Sequence, residues 1–417
     1  MSVKNIKRAI TAGVCCCTAA AIVGAVVAKG RKMPDLSVVT ASPDVQKVAG
    51  ANTKFTFSLL DRLTAAKPGE NVFISPYSVS NAMSLVLNGA AGSTYHGIEK
   101  GLGLDSTPLA NVNRGNSLLL PSLENPDPQV ELSVANALWA RRGLPLSTSF
   151  TERCRTYYGA TASTLDFGQP STAASTINGW VGDNTHGKID SIVSPDDLVR
   201  ADAVLTNAVY FHGKWTDQFD KANTQTQQFH HEDGTQKSIP LMSEETTVPY
   251  LENSRFQAVS LPYGSKRMSL YVILPKKGVK LGSVIKDLDA KAWSNTVDAM
   301  QPTEITVQLP RFKVEYAVLL NKPLIDLGMG PAFRDEADFT PMGLRNSAIS
   351  AVYHKALIEV DEEGTTAAAA TAVVVAMAAV AMPPTTVRID HPFFCAIRDN
   401  ATGTILFAGA IYDPQTD

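Results

Sequence analysis

The chain has 417 residues, of which 44% are hydrophobic and 18% are charged. This composition excludes an intrinsically disordered chain, which combines few apolar residues with a high net charge. The 37 Lys and Arg residues nearly balance the 40 Asp and Glu residues, and the formal net charge is −3. Such a balance gives no electrostatic signature of a nucleic-acid partner. Five cysteines are too few for a disulfide scaffold.

The N-terminal residues have the pattern of an export signal. Lys4, Lys7 and Arg8 precede an apolar run without charge over residues 9–28, and this order is typical of a signal peptide. The run is also just long enough to span a bilayer, and the basic residues that follow it favour an uncleaved anchor. We therefore predict that residues 1–28 are a signal peptide or a membrane anchor. The protein is then secreted, or tethered to a membrane through residues 9–28.

A linker and a globular body are predicted to follow. Residues 29–50 contain two prolines and two serines and are interpreted as the linker. The body, residues 51–417, begins with apolar residues at helical spacing over 53–66 and a second helix over 76–89. Strands are predicted at residues 204–211, 268–274, 305–309, 356–360, 386–389, 393–397 and 405–411. Helices and strands occur in runs rather than in regular βαβ units, which favours an α+β fold.

Two motifs resemble functional sites but lack an essential part. Residues 182–188 have the spacing of a phosphate-binding loop, but Ile189 stands where that loop requires Ser or Thr. His230 and His231 are adjacent, so on a strand they would point to opposite faces, and no second cluster of metal ligands follows. A turn at residues 233–234 between two strands explains them better. No nucleophile motif of a hydrolase is present, and we expect no enzymatic activity, no cofactor and no metal.

The most unusual segment is residues 364–387, which contain no charged side chain. A transmembrane helix here would be short and would end at two prolines. A buried helix conflicts with the β-branched residues 373–375, and a disordered linker would be far less apolar. A conditional strand accounts for all the features. A strand and acidic residues precede the segment, Gly364 is its first residue, and its small side chains could enter a packed sheet without overpacking it.

Five motifs, in the expected order, resemble those of the serpin family. They are residues 71–78 (NVFISPYS), 178–189 (NGWVGDNTHGKI), 206–215 (TNAVYFHGKW), 354–365 (HKALIEVDEEGT), and the pair 390–393 (DHPF) and 407–409 (FAG). The resemblance covers nearly all of residues 51–415. It implies an α+β serpin fold with large mixed β-sheets, about nine helices and an exposed reactive-centre loop at about residues 364–384.

The resemblance also implies an irreversible suicide inhibitor of serine proteases. In such an inhibitor the target protease forms a covalent acyl complex with the loop, and the cleaved loop inserts into the central sheet as a new strand. The family's spacing, counted from Glu362, places the reactive bond between Ala378 and Ala379. Counting back from the prolines at 383 and 384 instead gives Val380 and Ala381. These small aliphatic residues favour an elastase-like or subtilisin-like target.

The prediction of an inhibitory mechanism rests on the residues at the hinge of the loop. The predicted hinge residues are Glu362, Glu363, Gly364, Thr365, Ala367, Ala369 and Thr371. Side chains of an inserted strand alternate between its faces, and the core-facing set from Thr365 to Thr371 is small and uncharged. A charge there would be buried without a partner. Thr366, where many serpins carry Glu, belongs to the outward set. The alternative function is a non-inhibitory carrier or chaperone.

Further roles follow from the resemblance alone. Ser75, Ser78, Asn207 and His354 are implied to form a polar cluster beneath the opening sheet, and Trp215 to lie near the entry point of the loop. The expected partner is a target serine protease, and we expect the inhibitor to be a monomer.

Overall fold

The structure is a computed structural model that describes residues 33–105, 107–124, 126–364 and 385–415. The predicted signal peptide or anchor lies outside these residues. So do the loop residues Thr365, Ala367, Ala369, Thr371, Ala378, Ala379, Val380 and Ala381. Within the described ranges, no helix has the length and apolar character needed to cross a membrane.

Ten α-helices lie within the described residues, in line with the expected number. They are α1 (Leu36–Ala41), α2 (Pro43–Ala66), α3 (Pro76–Leu87), α4 (Gly92–Gly101), α5 (Leu109–Glu124), α6 (Thr148–Tyr158), α7 (Pro170–Asn184), α8 (Leu281–Lys286), α9 (Ala290–Ala299) and α10 (Asn321–Leu324). Most of them lie in the N-terminal half of the chain, before the long run of strands. This segregation confirms the α+β class.

The strands form two mixed sheets. They are β1 (Val72–Ile74), β2 (Val130–Arg141), β3 (Thr161–Leu165), β4 (Ala203–Gly213), β5 (Gln225–His230), β6 (Gln236–Glu252), β7 (Phe256–Tyr263), β8 (Met268–Pro275), β9 (Gln301–Pro310), β10 (Phe312–Leu319), β11 (Ile349–Val360), β12 (Thr385–Arg388), β13 (Phe393–Asp399) and β14 (Ile405–Ile411). One sheet has nine strands in the order β1-β14-β13-β8-β7-β6-β9-β12, with β5 also paired to β6. The other has five strands, in the order β10-β11-β4-β2-β3.

The predicted linker over residues 29–50 is wrong from Leu36 onward. Helix α1 begins there, and α2 begins at Pro43 rather than at residue 53. Ser42 caps α2 by accepting a hydrogen bond from the backbone N–H of Val45, and Pro43 occupies the first turn, where proline suits a helix. Val45 and Val48 are buried in the core. Serine and proline signalled a loop in the sequence, but here they form a helix start.

The central strands β4 and β11 of the five-stranded sheet are buried on both faces. One face packs on the nine-stranded sheet, where Val209 of β4 and Ile358 of β11 share a core with Leu270 of β8. Helix α7 covers the other face, where Trp180 makes an edge contact with Trp139 of β2 at 5.5 Å between ring centroids. A strand that joined this sheet at its centre would therefore be buried on both sides.

The predicted strands agree with the structure where the sequence alternates or is uniformly apolar. Residues 204–211, 268–274 and 305–309 lie inside β4, β8 and β9. The turn predicted at residues 233–234 joins the antiparallel pair β5 and β6, and Gly234 there has a φ of +88°. Cys395 is a buried free thiol in the C-terminal hairpin, and burial raises its pKa to about 12.

Candidate functional site

The centre of the five-stranded sheet is a parallel pair of strands. β11 pairs with β4 from Ile349 opposite Ala203 to Leu357 opposite Tyr210. The outer neighbours β10 and β2 are antiparallel to them. The β4–β11 ladder stops at Leu357 and Tyr210, although both strands continue for several residues. We call the boundary between β4 and β11 the seam, and the end where its ladder stops the mouth.

A tight turn lies at the mouth of the seam. After β11 the chain reverses between Asp361 and Gly364, whose backbones exchange hydrogen bonds of 3.2 and 3.3 Å in an antiparallel bridge. Gly364 has a φ of +109°, and an added Cβ would lie 2.4 Å from the carbonyl oxygen of Gly213 and from the nitrogen of Trp215. Only glycine fits this position. Gly364 therefore lies next to the end of β4 and close to the end of β11.

The segment after β4 holds the turn in place. Trp215 donates from its backbone to the Glu363 carbonyl at 3.1 Å and from its indole Nε1 to the Asp361 carbonyl at 2.9 Å. Its ring stacks on Tyr263, with 4.3 Å between ring centroids. The structure thus places Trp215 against the predicted hinge.

The hinge carboxylates have partners from several elements. Buried Glu362 accepts a hydrogen bond from Thr224 at 2.7 Å and lies 3.9 Å from the Arg311 guanidinium. Glu363 forms an ion pair with Lys221. Burial raises the pKa of Asp361. The acidic hinge therefore anchors the turn and is not a free charged surface.

Four residues of the predicted polar cluster meet beneath the seam. Ser75 accepts a hydrogen bond from the backbone of Ser78 and so caps α3. Its own backbone N–H donates to Nε2 of His354 at 3.0 Å. Asn207 donates to the hydroxyl of Ser78. Its carbonyl oxygen contacts Nδ1 of His354, and all four residues are buried.

His354 is neutral in this environment. Complete burial lowers its pKa to about 3, because no carboxylate is among its hydrogen-bond partners to stabilise the charged ring. Nε2 accepts from Ser75, so the proton lies on Nδ1 and is donated to Asn207. His354 and Asn207 are also direct partners in the β11–β4 register. Their hydrogen bond crosses the seam and must break if the strands separate.

Asn136 belongs to this cluster but to none of the family motifs in the sequence. Asn136 of β2 accepts a hydrogen bond from Asn207 and donates to Asn81 of α3 at 3.0 Å. Asn81 in turn donates to Asn116 of α5 at 3.2 Å. A chain of amides thus links the seam to two helices. A single amide within the otherwise apolar residues 134–140 is the sequence signal that points to Asn136.

Comparison with known proteins identifies the family. The model of the serpin family, described as serine protease inhibitor, matches residues 50–414. An uncharacterized serpin-like protein of Thermococcus kodakarensis is 38% identical over 88% of this chain and 86% of its own length. Iripin-2 of Ixodes ricinus is 34% identical over 90% of this chain and 96% of its own. This chain belongs to the serpin family, a family of serine protease inhibitors.

Solved structures show the same fold. Human thyroxine-binding globulin, in complex with thyroxine, aligns with a TM-score of 0.82 at 28% identity, over 89% of this chain and all of its own. The thermophilic serpin tengpin, in its native state, aligns with a TM-score of 0.80 at 30% identity, over 88% of this chain and 94% of its own. These two relatives confirm the serpin fold that the sequence predicts.

Proposed function

We propose that this protein is an irreversible suicide inhibitor of serine proteases, with residues 364–384 as its reactive-centre loop. The arrangement of the seam carries the proposal. Because β4 and β11 are parallel to each other, a strand that turned back at Gly364 and entered between them would be antiparallel to both. It would form hydrogen bonds on both sides, in the geometry of an antiparallel ladder.

The loop sequence suits entry into a buried seam. A charged side chain on an entering strand would lose its hydration without gaining a partner, and the loop has no charged residue. Thr365, Ala367, Ala369 and Thr371 would supply small side chains to the core face. Their size supports insertion without overpacking.

The energetics support a metastable native state. Insertion of about fifteen residues, at ~0.5–1.5 kcal/mol net for each backbone hydrogen bond, releases on the order of 10 kcal/mol. This is comparable with the stability of a whole domain. The form with a five-stranded sheet would therefore be a kinetic trap.

The proposed reaction uses the chemistry of the target protease. The protease serine attacks the carbonyl carbon of Ala378, forms an ester with it and releases the new amino terminus at Ala379. Val380 and Ala381 are the alternative pair. Insertion then separates the ester from the machinery that would hydrolyse it. Small aliphatic side chains suit the small primary pocket of elastase-like enzymes, and they carry no charge that an apolar pocket of a subtilisin-like enzyme would exclude.

A panel of proteases tests this function. Elastase and subtilisin should each yield a complex with the inhibitor that survives boiling in detergent, whereas trypsin should not, because residues 365–384 contain no Lys or Arg. Mass spectrometry of the released C-terminal peptide then locates the bond. Cleavage outside residues 376–382 would refute the assigned bond, and the absence of any covalent complex would refute the inhibitor.

A carrier is the alternative function, because thyroxine-binding globulin, crystallised with thyroxine, is among the similar structures. For a carrier, Thr365→Arg should leave function unchanged, since no loop has to enter the sheet. For an inhibitor, the same variant should become a plain substrate. The two functions are thus distinguished by one substitution.

We further propose that the inhibitor is exported or tethered by residues 1–28 and acts as a monomer. Mass spectrometry of the native protein reads its first residue. A start near residue 29 indicates a cleaved signal, and an intact N-terminus indicates a tether. Light scattering measures the mass in solution, and a dimer would contradict the monomer.

A further inference from the structure

The segment that connects α7 to β4, residues 185–202, lies across the face of the five-stranded sheet. We call it the strap. Its residues Ile189 and Val193 are buried in one cluster with Ala208 of β4 and Ala351 of β11. Asn178 of α7 holds it by donating to the Val193 carbonyl at 2.8 Å. The strap therefore covers the seam from the side that faces α7.

The strap is fastened on both sides of the seam. On the β2 side, Nε2 of His186 lies 2.7 Å from the Glu131 carboxylate. On the β11 side, Nζ of Lys355 donates to the Ser191 carbonyl at 3.1 Å. A strand entering the seam would move these two anchor points apart.

One strap residue contacts both strands of the seam directly. Nζ of Lys188 lies 3.5 Å from the carboxylate of Glu359 on β11 and 5.6 Å from the ring centroid of Tyr210 on β4. A lysine over an aromatic face is attracted by its quadrupole. Tyr210 belongs to the last pair of the β4–β11 ladder, so Lys188 bridges the strands next to the mouth.

Glu359 is well suited to hold this lysine. Its carboxylate also lies 2.8 Å from Nζ of Lys313 on β10. Burial opposes ionisation, but the two lysines outweigh it and lower the pKa of Glu359. Lys313 and Glu359 lie on the same side of the seam, whereas Lys188 reaches across it.

We propose that Lys188 is a clamp across the seam whose release limits the rate at which the loop enters. This inference rests on the proposed inhibitory function and names a positioning residue for it. Neighbouring strands lie about 4.8 Å apart, and an inserted strand increases the β4–β11 separation by about that distance. Lys188 cannot then keep both Glu359 and Tyr210. Removing the clamp leaves fewer contacts to break before the strands separate.

A synthetic peptide with the sequence of residues 365–378 and a fluorescent label tests the clamp without a protease. Its rate of uptake by the native protein measures opening of the seam. Lys188→Met and Glu359→Gln should each accelerate uptake about two- to five-fold, the range expected for a partly exposed ion pair. Lys188→Arg should restore a rate close to that of the unmodified protein. The double variant should be no faster than either single variant.

Lys313→Met is the matched control, because it removes an ion pair with the same carboxylate that does not cross the seam. It should not accelerate uptake. Equal rates for Lys188→Met and the unmodified protein, including no uptake by either, would overturn the clamp. So would equal acceleration by Lys188→Met and Lys313→Met. The inhibitory function is judged separately, by formation of a covalent complex between the unmodified protein and a protease.

Discussion

The two sheets of this protein differ at their centres. In the nine-stranded sheet, β13, β8 and β7 pair through antiparallel ladders, and the side chains of β8 and β13 are mostly buried and apolar. In the five-stranded sheet, the central pair is parallel and its ladder stops early. Beneath it, a hydrogen bond between His354 and Asn207 crosses the seam, and another joins Asn207 to Asn136 of β2. If the proposed insertion takes place, the second sheet has to exchange some of these contacts for others, whereas the first sheet keeps its own.

Cleavage of the loop should give the largest effect. If the five-stranded sheet accepts the loop, the cut protein gains on the order of 10 kcal/mol. Its melting temperature should then rise by at least ~10 °C. Calorimetry before and after limited digestion with elastase measures this change. Hydrogen exchange should slow in β4 and β11 but not in β13 and β14. An unchanged or lower melting temperature would contradict the proposal that the five-stranded sheet accepts the cleaved loop.

A charge at the start of the loop should prevent that gain. Thr365→Arg places a guanidinium in the core-facing set, where it would be buried without a partner. The number of inhibitor molecules consumed for each protease molecule trapped should rise more than ~10-fold, because hydrolysis of the ester overtakes the slowed insertion. Thr366→Arg is the matched control in the outward set and should change this number less than about two-fold. Equal effects of the two variants would contradict the predicted alternation.

A substitution in the turn at the mouth should have a smaller effect, which is on the stability of the uncleaved protein. Gly364→Ala adds a Cβ 2.4 Å from two backbone atoms and strains a φ of +109°. We expect the free energy of unfolding to fall by about 3 kcal/mol. Gly143→Ala has a similar φ of +97° but nothing within 4 Å, and should lose only about 1 kcal/mol. Urea denaturation compares the two, and equal losses would show that the close approach of β4 does not matter.

The histidine beneath the seam should make the native form sensitive to acid. Its pKa is about 3 in the folded protein and near 6.5 in the unfolded chain. Below pH 6.5 the unfolded chain binds a proton that the folded protein does not, so stability falls as the pH falls. The loss attributable to His354 is about 2 kcal/mol between pH 7 and pH 5.

Urea denaturation at pH 7 and pH 5 measures the total loss in the free energy of unfolding. In the His354→Gln variant this loss should be smaller by the part attributed to His354. Nuclear magnetic resonance supplies a test that needs no variant. The ring protons of His354 should keep one chemical shift from pH 8 to pH 5, and a midpoint near pH 6.5 would contradict the burial argument.

The sequence predicts local elements and the family well, because both depend on short patterns. The mostly apolar run at residues 204–211 and the turn at 233–234 need only neighbouring residues to be recognised. The start of α2 was missed because Ser42 and Pro43 suit a loop as well as a helix cap. Here burial of Val45 and Val48 decides between the two, and burial depends on the whole fold.

The geometry of the seam could not be predicted from the sequence. Leu357 and Tyr210 are the last pair of a ladder between strands far apart in the chain, and no local pattern indicates where such a ladder ends. Lys188 was visible within a family motif, but its partner Glu359 lies on a distant strand. Asn136 likewise has a role only because the register places it beside Asn207.

The reversal between Asp361 and Gly364 also gives the proposed movement a direction and a length. In the proposed movement the loop enters the seam residue by residue, from Gly364 toward the cleaved reactive bond. The last residue to enter is the one to which the protease is attached. At about 3.3 Å per residue, insertion of roughly fourteen residues moves the attached protease some 45 Å, toward the opposite pole of the molecule. The number of loop residues therefore determines the final position of the bound protease.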